Sequence, residues 1–270
     1  MDIERFTSRD GTRIAAYQSG AGPPLILVHG TGAANPVAWP GVVPALAEHF
    51  TVYAVDRRGR RESGDADTYA IEREYEDVAA VIDAMGKPAH LLGHSFGGIP
   101  ALEAALLTPN VRKLVLYEGV PIAGAAVNPE GLIERLQALL DAGDQEAMLT
   151  TFYGEGPGLS PQEIEQLRSS PAWPARLAAA HTVPRELRAL ERYDFNPHRF
   201  KDLRTKTLLL VGGDSPQFAR EATEAVDAAL PDSRIAVLPG QQHIAMYVAP
   251  QLFVGKVLEF LVDEDVVNDS

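Results

Sequence analysis

The stretch Leu91-Leu92-Gly93-His94-Ser95-Phe96-Gly97-Gly98 constrains this chain more than any other. An apolar run leads into it, and a helical pattern, 99–107, leads out. The reading is strand, sharp turn, helix, with a serine at the turn in a Gly-x-Ser-x-Gly setting. The flanking glycines answer a steric demand. A serine at such a turn has strained backbone angles, and side chains at 93 and 97 would clash as the helix folds back on its strand. The turn lifts the Ser95 hydroxyl clear of the sheet, where a substrate can reach it.

The rest of the chain supplies a sheet for that turn. Segments 3–7 and 12–18 read as strands joined by the hairpin signal Arg9-Asp10-Gly11. Apolar runs at 25–28, 51–55, 89–92, 111–117, 206–211 and 234–238 read as further strands. Helical patterns fall at 36–49, 71–85, 217–230 and 250–262. Short apolar strands alternating with helices predict an α/β fold, a mostly parallel sheet of about eight strands covered on both faces. Between 122 and 204 no good strand is found. Helical patterns at 129–142, 145–152, 161–169, 174–181 and 185–193 fill it, with prolines 129, 161, 174 and 184 near helix starts. This segment is expected to be a helical cap inserted into a core domain formed by 1–121 and 205–270.

Composition narrows the partners. With 24 Lys+Arg against 37 Asp+Glu, the net charge of −13 argues against nucleic acid and anionic membranes. The chain has no cysteine, which excludes disulfides, thiolate metal sites and a cysteine nucleophile. No apolar run approaches the roughly 20 residues needed to span a bilayer. Met1-Asp2-Ile3-Glu4-Arg5 lacks the basic start and apolar core of a secretory leader. A cytoplasmic protein with a small-molecule substrate is expected. No metal motif is visible, and the glycine-rich turn at 93–98 lacks the Gly-Lys-Ser/Thr ending of a phosphate loop, so no cofactor is expected.

Over nearly its whole length the chain resembles the α/β-hydrolase superfamily. The resemblance rests on Leu27-Val28-His29-Gly30-Thr31-Gly32, Asp56-Arg57-Arg58-Gly59, the Ser95 turn, Val211-Gly212-Gly213-Asp214-Ser215-Pro216 and Gly240-Gln241-Gln242-His243. It implies the α/β-hydrolase fold and a serine, acid, histidine order along the chain. Ser95 is the expected nucleophile, which needs a base within hydrogen-bond reach. Of seven histidines, His243 stands where the superfamily places that base; His29 matches a structural loop histidine, and His94 is expected to pack beside the site. His49 and His90 read as surface or strand-edge residues, and His181 belongs to the cap. Asp214 is the expected acid, with Glu118, just past the strand at 111–117, as its rival. The backbone N–H of Phe96 is one expected oxyanion donor. The resemblance makes the Thr31 N–H the other.

Two departures from the superfamily pattern stand out. Arg61 occupies the place of a second glycine in the loop that begins at Asp56, and Pro100 falls just inside the helix after Ser95. Gly30, Trp39, Ile122, Ile244 and Met246 flank the motifs, and Phe152, Tyr153, Trp173 and His181 come from the cap. These are candidate substrate contacts, and their character points to an apolar group of moderate size. The expected activity is hydrolysis of a carboxylic ester through an acyl-enzyme. A serine nucleophile argues against the haloalkane dehalogenases and epoxide hydrolases of this fold, which use aspartate. Thioester, lactone, carbon–carbon and peptide bonds stay open, as do perhydrolase and hydroxynitrile lyase chemistry and a ligand receptor on the same scaffold.

Overall fold

The computed structural model describes residues 2–33, 35, 38–120 and 128–262. Eight strands form one sheet in the order β1-β2-β4-β3-β5-β6-β7-β8. They are β1 (Asp2–Thr7), β2 (Arg13–Ser19), β3 (Pro24–Val28), β4 (Thr51–Asp56), β5 (Ala89–His94), β6 (Val111–Tyr117), β7 (Lys206–Gly212) and β8 (Ser233–Leu238). The opening hairpin pairs antiparallel, and β2 joins β4 antiparallel. From β4 to β8 every pairing is parallel. The fold is therefore the α/β-hydrolase fold, with its antiparallel strands at one edge.

The helices that cover the sheet are α1 (Val42–Leu46), α2 (Ile71–Ala84) and α3 (Gly98–Leu107) and, from β7 onward, α9 (Gln217–Ala229), α10 (Ala245–Val248) and α11 (Pro250–Val262). The pleat sends alternate side chains to opposite faces. Ile26 and Val28 pack with Val78, Ile82, Leu102 and Val226 beneath α2, α3 and α9. Leu25 and Leu27 pack with Val42, Leu46, Phe253 and Val257 beneath α1 and α11. Two cores thus clamp the central strands, and the strand ends are fixed in place. The helix expected over 36–49 is cut to α1. Pro40 restricts the residue before it, and Gly41 takes a left-handed φ of 74° just ahead of the first turn.

Between β6 and β7 the chain makes α4 (Leu132–Asp141), α5 (Gln145–Glu155), α6 (Pro161–Arg168), α7 (Trp173–Ala178) and α8 (Val183–Arg192), with no strand among the described residues. Pro161, Pro174 and Pro184 occupy the first two positions of α6, α7 and α8, where no N–H is missed. These helices share an apolar core of their own, built on Leu132, Leu136, Leu149, Phe152, Trp173, Val183 and Leu187.

The turn at Ser95 is where β5 meets α3, and it is built by backbone contact. Ser95 has a left-handed φ of 52°, a conformation that costs a non-glycine residue about 1–3 kcal/mol. A Cβ on Gly97 would lie 2.4 Å from the carbonyl oxygen of Val28, and one on Gly98 would lie 2.5 Å from Cα of Gly119. Pro100, third in α3, leaves the helix continuous. Because the Gly97 clash is with strand backbone, Gly97→Ala is expected to destabilise the protein by about 3 kcal/mol, read by urea unfolding. Gly86→Ala carries only the strain of its left-handed φ, with no atom within 4 Å of the added Cβ, and is expected to cost clearly less.

Candidate active site

Strands β5 and β6 lie side by side, with His94 opposite Tyr117 in register. The residues that follow each strand end, Ser95 and Glu118, therefore emerge as neighbours at the same edge of the sheet. Both hold left-handed backbones, Glu118 at a φ of 43°. His243 arrives from the loop after β8. Its Nε2 is 2.9 Å from Oγ of Ser95, and its Nδ1 is 2.8 Å from Oε2 of Glu118. A carboxylate only accepts, so Nδ1 carries the hydrogen and Nε2 is left to accept the serine proton. The order hydroxyl, imidazole, carboxylate is that of a catalytic triad.

The expectation that Asp214 faces His243 is corrected by this geometry. Asp214 is exposed, and its turn is directed by its backbone N–H, which donates to the carbonyl of Gln241 at 2.9 Å. β7 stands one strand further than β6 from the serine. The same turn serves the site through its neighbours. Glu118 Oε1 accepts from the Gly212 N–H at 2.8 Å and from the Ser215 hydroxyl at 2.5 Å. Burial opposes the charge on Glu118, but the hydrogen bond and charge of His243, with Ser215 and Gly212, outweigh it and hold the carboxyl below its usual range.

The His243 loop is held from below. His94 Nε2 donates to the backbone carbonyl of His243 at 2.9 Å, and its ring lies 4.8 Å from that of His243. Burial, then the charge of His243, keep His94 well below the ordinary histidine range, so it is a neutral prop. Tyr117 donates its hydroxyl to the carbonyl of Gln242 and accepts from the Ala245 N–H at 3.3 Å.

On the other side of Ser95 lies the loop after β3. A Cβ on Gly30 would come within 2.8 Å of the Ser95 Cβ, so glycine is what lets this loop approach. Thr31 and Phe96 both border the cavity at the serine. Behind them is an ionic cluster that the sequence reading did not identify. Arg57 makes a fork to Glu74, at 2.6 and 2.7 Å, and reaches Glu186 of α8 at 3.2 Å. Arg60 meets Glu186 at 2.5 Å and the Ala33 carbonyl at 3.1 Å. The Thr31 hydroxyl also bonds Glu186, and the Arg57 guanidinium lies 4.4 Å over the Phe96 ring. All four charged groups are buried. Glu186 therefore ties α8 to the loop that carries Thr31. The only signal was the arginine-rich run after Asp56. Arg61 keeps the left-handed turn, at a φ of 43°, without the glycine.

The site opens on a cavity of about 220 Å³. Of the expected contacts, Gly30, Phe152, Tyr153 and Ile244 line it. Trp39 is buried edge-on against His94, and Met246 is buried in the α11 core, so neither faces substrate. Trp173 packs on Tyr153 in the apolar cluster of the helices between β6 and β7, and His181 is exposed. Ile122 lies outside the described residues. Arg176, which the sequence reading passed over, is on the wall. Among the described residues no group of three or more His, Asp or Glu side chains could hold a metal ion.

Residues 25–256 match the model of the Alpha/beta hydrolase family. The chain belongs to this family. It is 28% identical to 2-(acetamidomethylene)succinate hydrolase of Mesorhizobium japonicum, over 97% of this chain and 94% of that protein. It is 28% identical to a pimeloyl-[acyl-carrier protein] methyl ester esterase of Aeromonas hydrophila, over 92% and 99%. The crystal structure of an alpha/beta hydrolase from Sphaerobacter thermophilus is 35% identical, superposes with a TM-score of 0.82, and covers 95% of this chain and 99% of its own. Hydrolysis is thus the activity of the group, across more than one kind of bond.

Two outcomes follow from the acid at 118. Glu118→Gln is expected to lower kcat by about 10³–10⁴, because an amide no longer fixes the imidazole tautomer, while Asp214→Asn stays within about threefold of wild type in steady-state assays. A carboxyl with a depressed folded value gives stability above its unfolded value and loses it as pH falls through the folded one. The stability difference between wild type and Glu118→Gln, from urea unfolding, is therefore expected to be flat above about pH 5 and to shrink below about pH 4.5.

Proposed function

We propose that this hydrolase cleaves a carboxylic ester, or a related acyl bond, of a small and largely apolar substrate through an acyl-enzyme on Ser95. The observation that carries the reading is the unbroken hydrogen-bond line from Ser95 through His243 to Glu118. His243 takes the hydroxyl proton as Ser95 Oγ attacks the acyl carbon. The backbone N–H groups of Thr31 and Phe96 hold the oxyanion, in an arrangement worth about 3 kcal/mol of barrier per donor. His243 then gives its proton to the departing alcohol. Water, deprotonated by the same nitrogen, splits the acyl-enzyme and returns Ser95. Glu118 orients His243 and stabilises its cation throughout.

The ester reading draws on the similarity to a methyl ester esterase and on the apolar share of the wall, which includes Leu116, Val120, Phe152, Leu190, Leu209 and Val226. The helices between β6 and β7 act as the lid. A cytoplasmic setting belongs to the same proposal; it is supported by an acidic, cysteine-free chain whose described helices are not long and apolar enough to cross a membrane.

The test is steady-state hydrolysis of p-nitrophenyl esters from acetate to decanoate. Sustained turnover is expected, with loss of about 10⁴ or more in Ser95→Ala. An acyl adduct on Ser95 is expected by intact mass when the reaction is quenched early. Turnover that survives Ser95→Ala would refute the reading.

A further inference from the structure

Arg176 is an unmatched buried charge beside the cavity. Its guanidinium is buried on the cavity wall, with 3% of the residue exposed. The other fully buried arginines of the site, Arg57 and Arg60, are matched by Glu74 and Glu186. Arg176 meets no carboxylate among the described residues. Its partners are neutral: Nη1 donates to the Gly32 carbonyl and the Tyr153 hydroxyl, each at 2.9 Å, and Nη2 donates to the Tyr247 hydroxyl at 3.1 Å. A guanidinium has five N–H groups. Three are spent, and Nε is buried without a partner. Nε–H and one Nη2–H therefore remain, and these two groups belong to one planar fork.

A buried cation without a counter-ion is costly, and natural proteins seldom keep one unless something completes it. The surrounding groups do not neutralise it. Tyr153 and Tyr247 are phenols, and burial pushes Tyr153 further toward its neutral form. Arg176 reaches Gly32, next to Thr31, and its charge is felt at His29 on the same loop. The cation therefore borders the reaction cavity, beside the loop that carries Thr31. The chain as a whole is acidic, at −13, so an anion would be drawn to this cavity by a local charge alone.

We propose that the cavity takes a substrate bearing a carboxylate besides the bond that is cleaved, and that Arg176 binds that carboxylate through the N–H groups its neutral partners leave free. A planar fork on a planar carboxylate gives two parallel charge-assisted bonds, the strongest and most directional pairing open to arginine. The substrate is then a half-ester, or comparable half-acyl derivative, of a short dicarboxylic acid. Its methylene chain lies along the apolar wall, and its acyl carbon stands at Ser95. This specificity rests on the serine hydrolase reading, but Arg176 binds the anion whether or not the bond breaks.

The experiment compares monoethyl adipate with ethyl hexanoate, the same chain with a methyl in place of the carboxylate, by proton release in a pH-stat. Monoethyl succinate and monoethyl glutarate set the best length. Wild type is expected to favour a half-ester. Arg176→Gln is expected to lose about 10- to 100-fold more in kcat/KM on that half-ester than on ethyl hexanoate, with Arg176→Lys recovering part of the difference. Equal loss on both esters would make Arg176 a structural clamp and overturn the proposal. Should Arg176→Gln fail to fold, the test rests on intact Arg176: calorimetry of Ser95→Ala with succinate, glutarate and adipate, with adipamide as the neutral control. One-to-one binding of a diacid and none of adipamide supports the subsite even if no ester is turned over. No diacid binding up to about 10 mM overturns it even if neutral esters are hydrolysed.

Discussion

The contact of Gly97 with β3 is the constraint on which the rest depends. The α3 helix can start directly after Ser95 only because residue 97 has no side chain between it and the carbonyl of Val28. That closeness forces Ser95 into a left-handed backbone and holds its hydroxyl above the sheet. Everything functional is then arranged around a fixed point. Gly30 allows the neighbouring loop to come within contact of the serine, and Gly98 against Gly119 brings the end of β6 alongside. Two apolar cores on opposite faces of the sheet absorb the strain that such a turn stores.

Around that point, polar groups are buried in pairs that complete one another. His94 is neutral and spends its one hydrogen on the His243 backbone. Glu118 accepts from His243, Ser215 and Gly212, so its charge is satisfied on every side. Arg57, Arg60, Glu74 and Glu186 form a closed set that joins α2 and the loop after β4 to α8. Breaking one member of such a set costs more than the set gains over apolar packing, which makes it a device of position rather than of stability. Arg176 has no carboxylate mate among the described residues, and that imbalance on the cavity wall is what directs attention to the ligand.

Much of this was legible in the sequence, because the strands are buried runs with few alternatives. The boundaries of β1 to β8 fall within two residues of the runs that were read as strands, or extend them slightly. Ser95 and His243 carried local signatures: glycines that a tight turn needs, and a polar loop after the last strand. The acid did not. Glu118 and Asp214 each follow a strand end, and local pattern cannot tell which of two parallel strands lies nearer the nucleophile. That is settled by sheet order, with β6 beside β5, and by a left-handed turn at 118 that no glycine announces. Glu186 and Arg176 were illegible for a related reason. Each sits on a helix between β6 and β7, where a charged residue reads as solvated surface until that helix is packed against the rest of the chain. Trp39 and Met246 failed in the opposite sense, being apolar residues beside motifs that the core claimed first.

The account turns on Glu118 holding the Nδ1 proton of His243. That proton, sheltered from water and deshielded by a strong hydrogen bond, is expected to give a far-downfield line in the proton NMR spectrum of the whole enzyme. The line is expected in wild type and in Asp214→Asn, and it is expected to vanish in Glu118→Gln. A line that persists in Glu118→Gln and disappears in Asp214→Asn would contradict the account and return the acid to the end of β7.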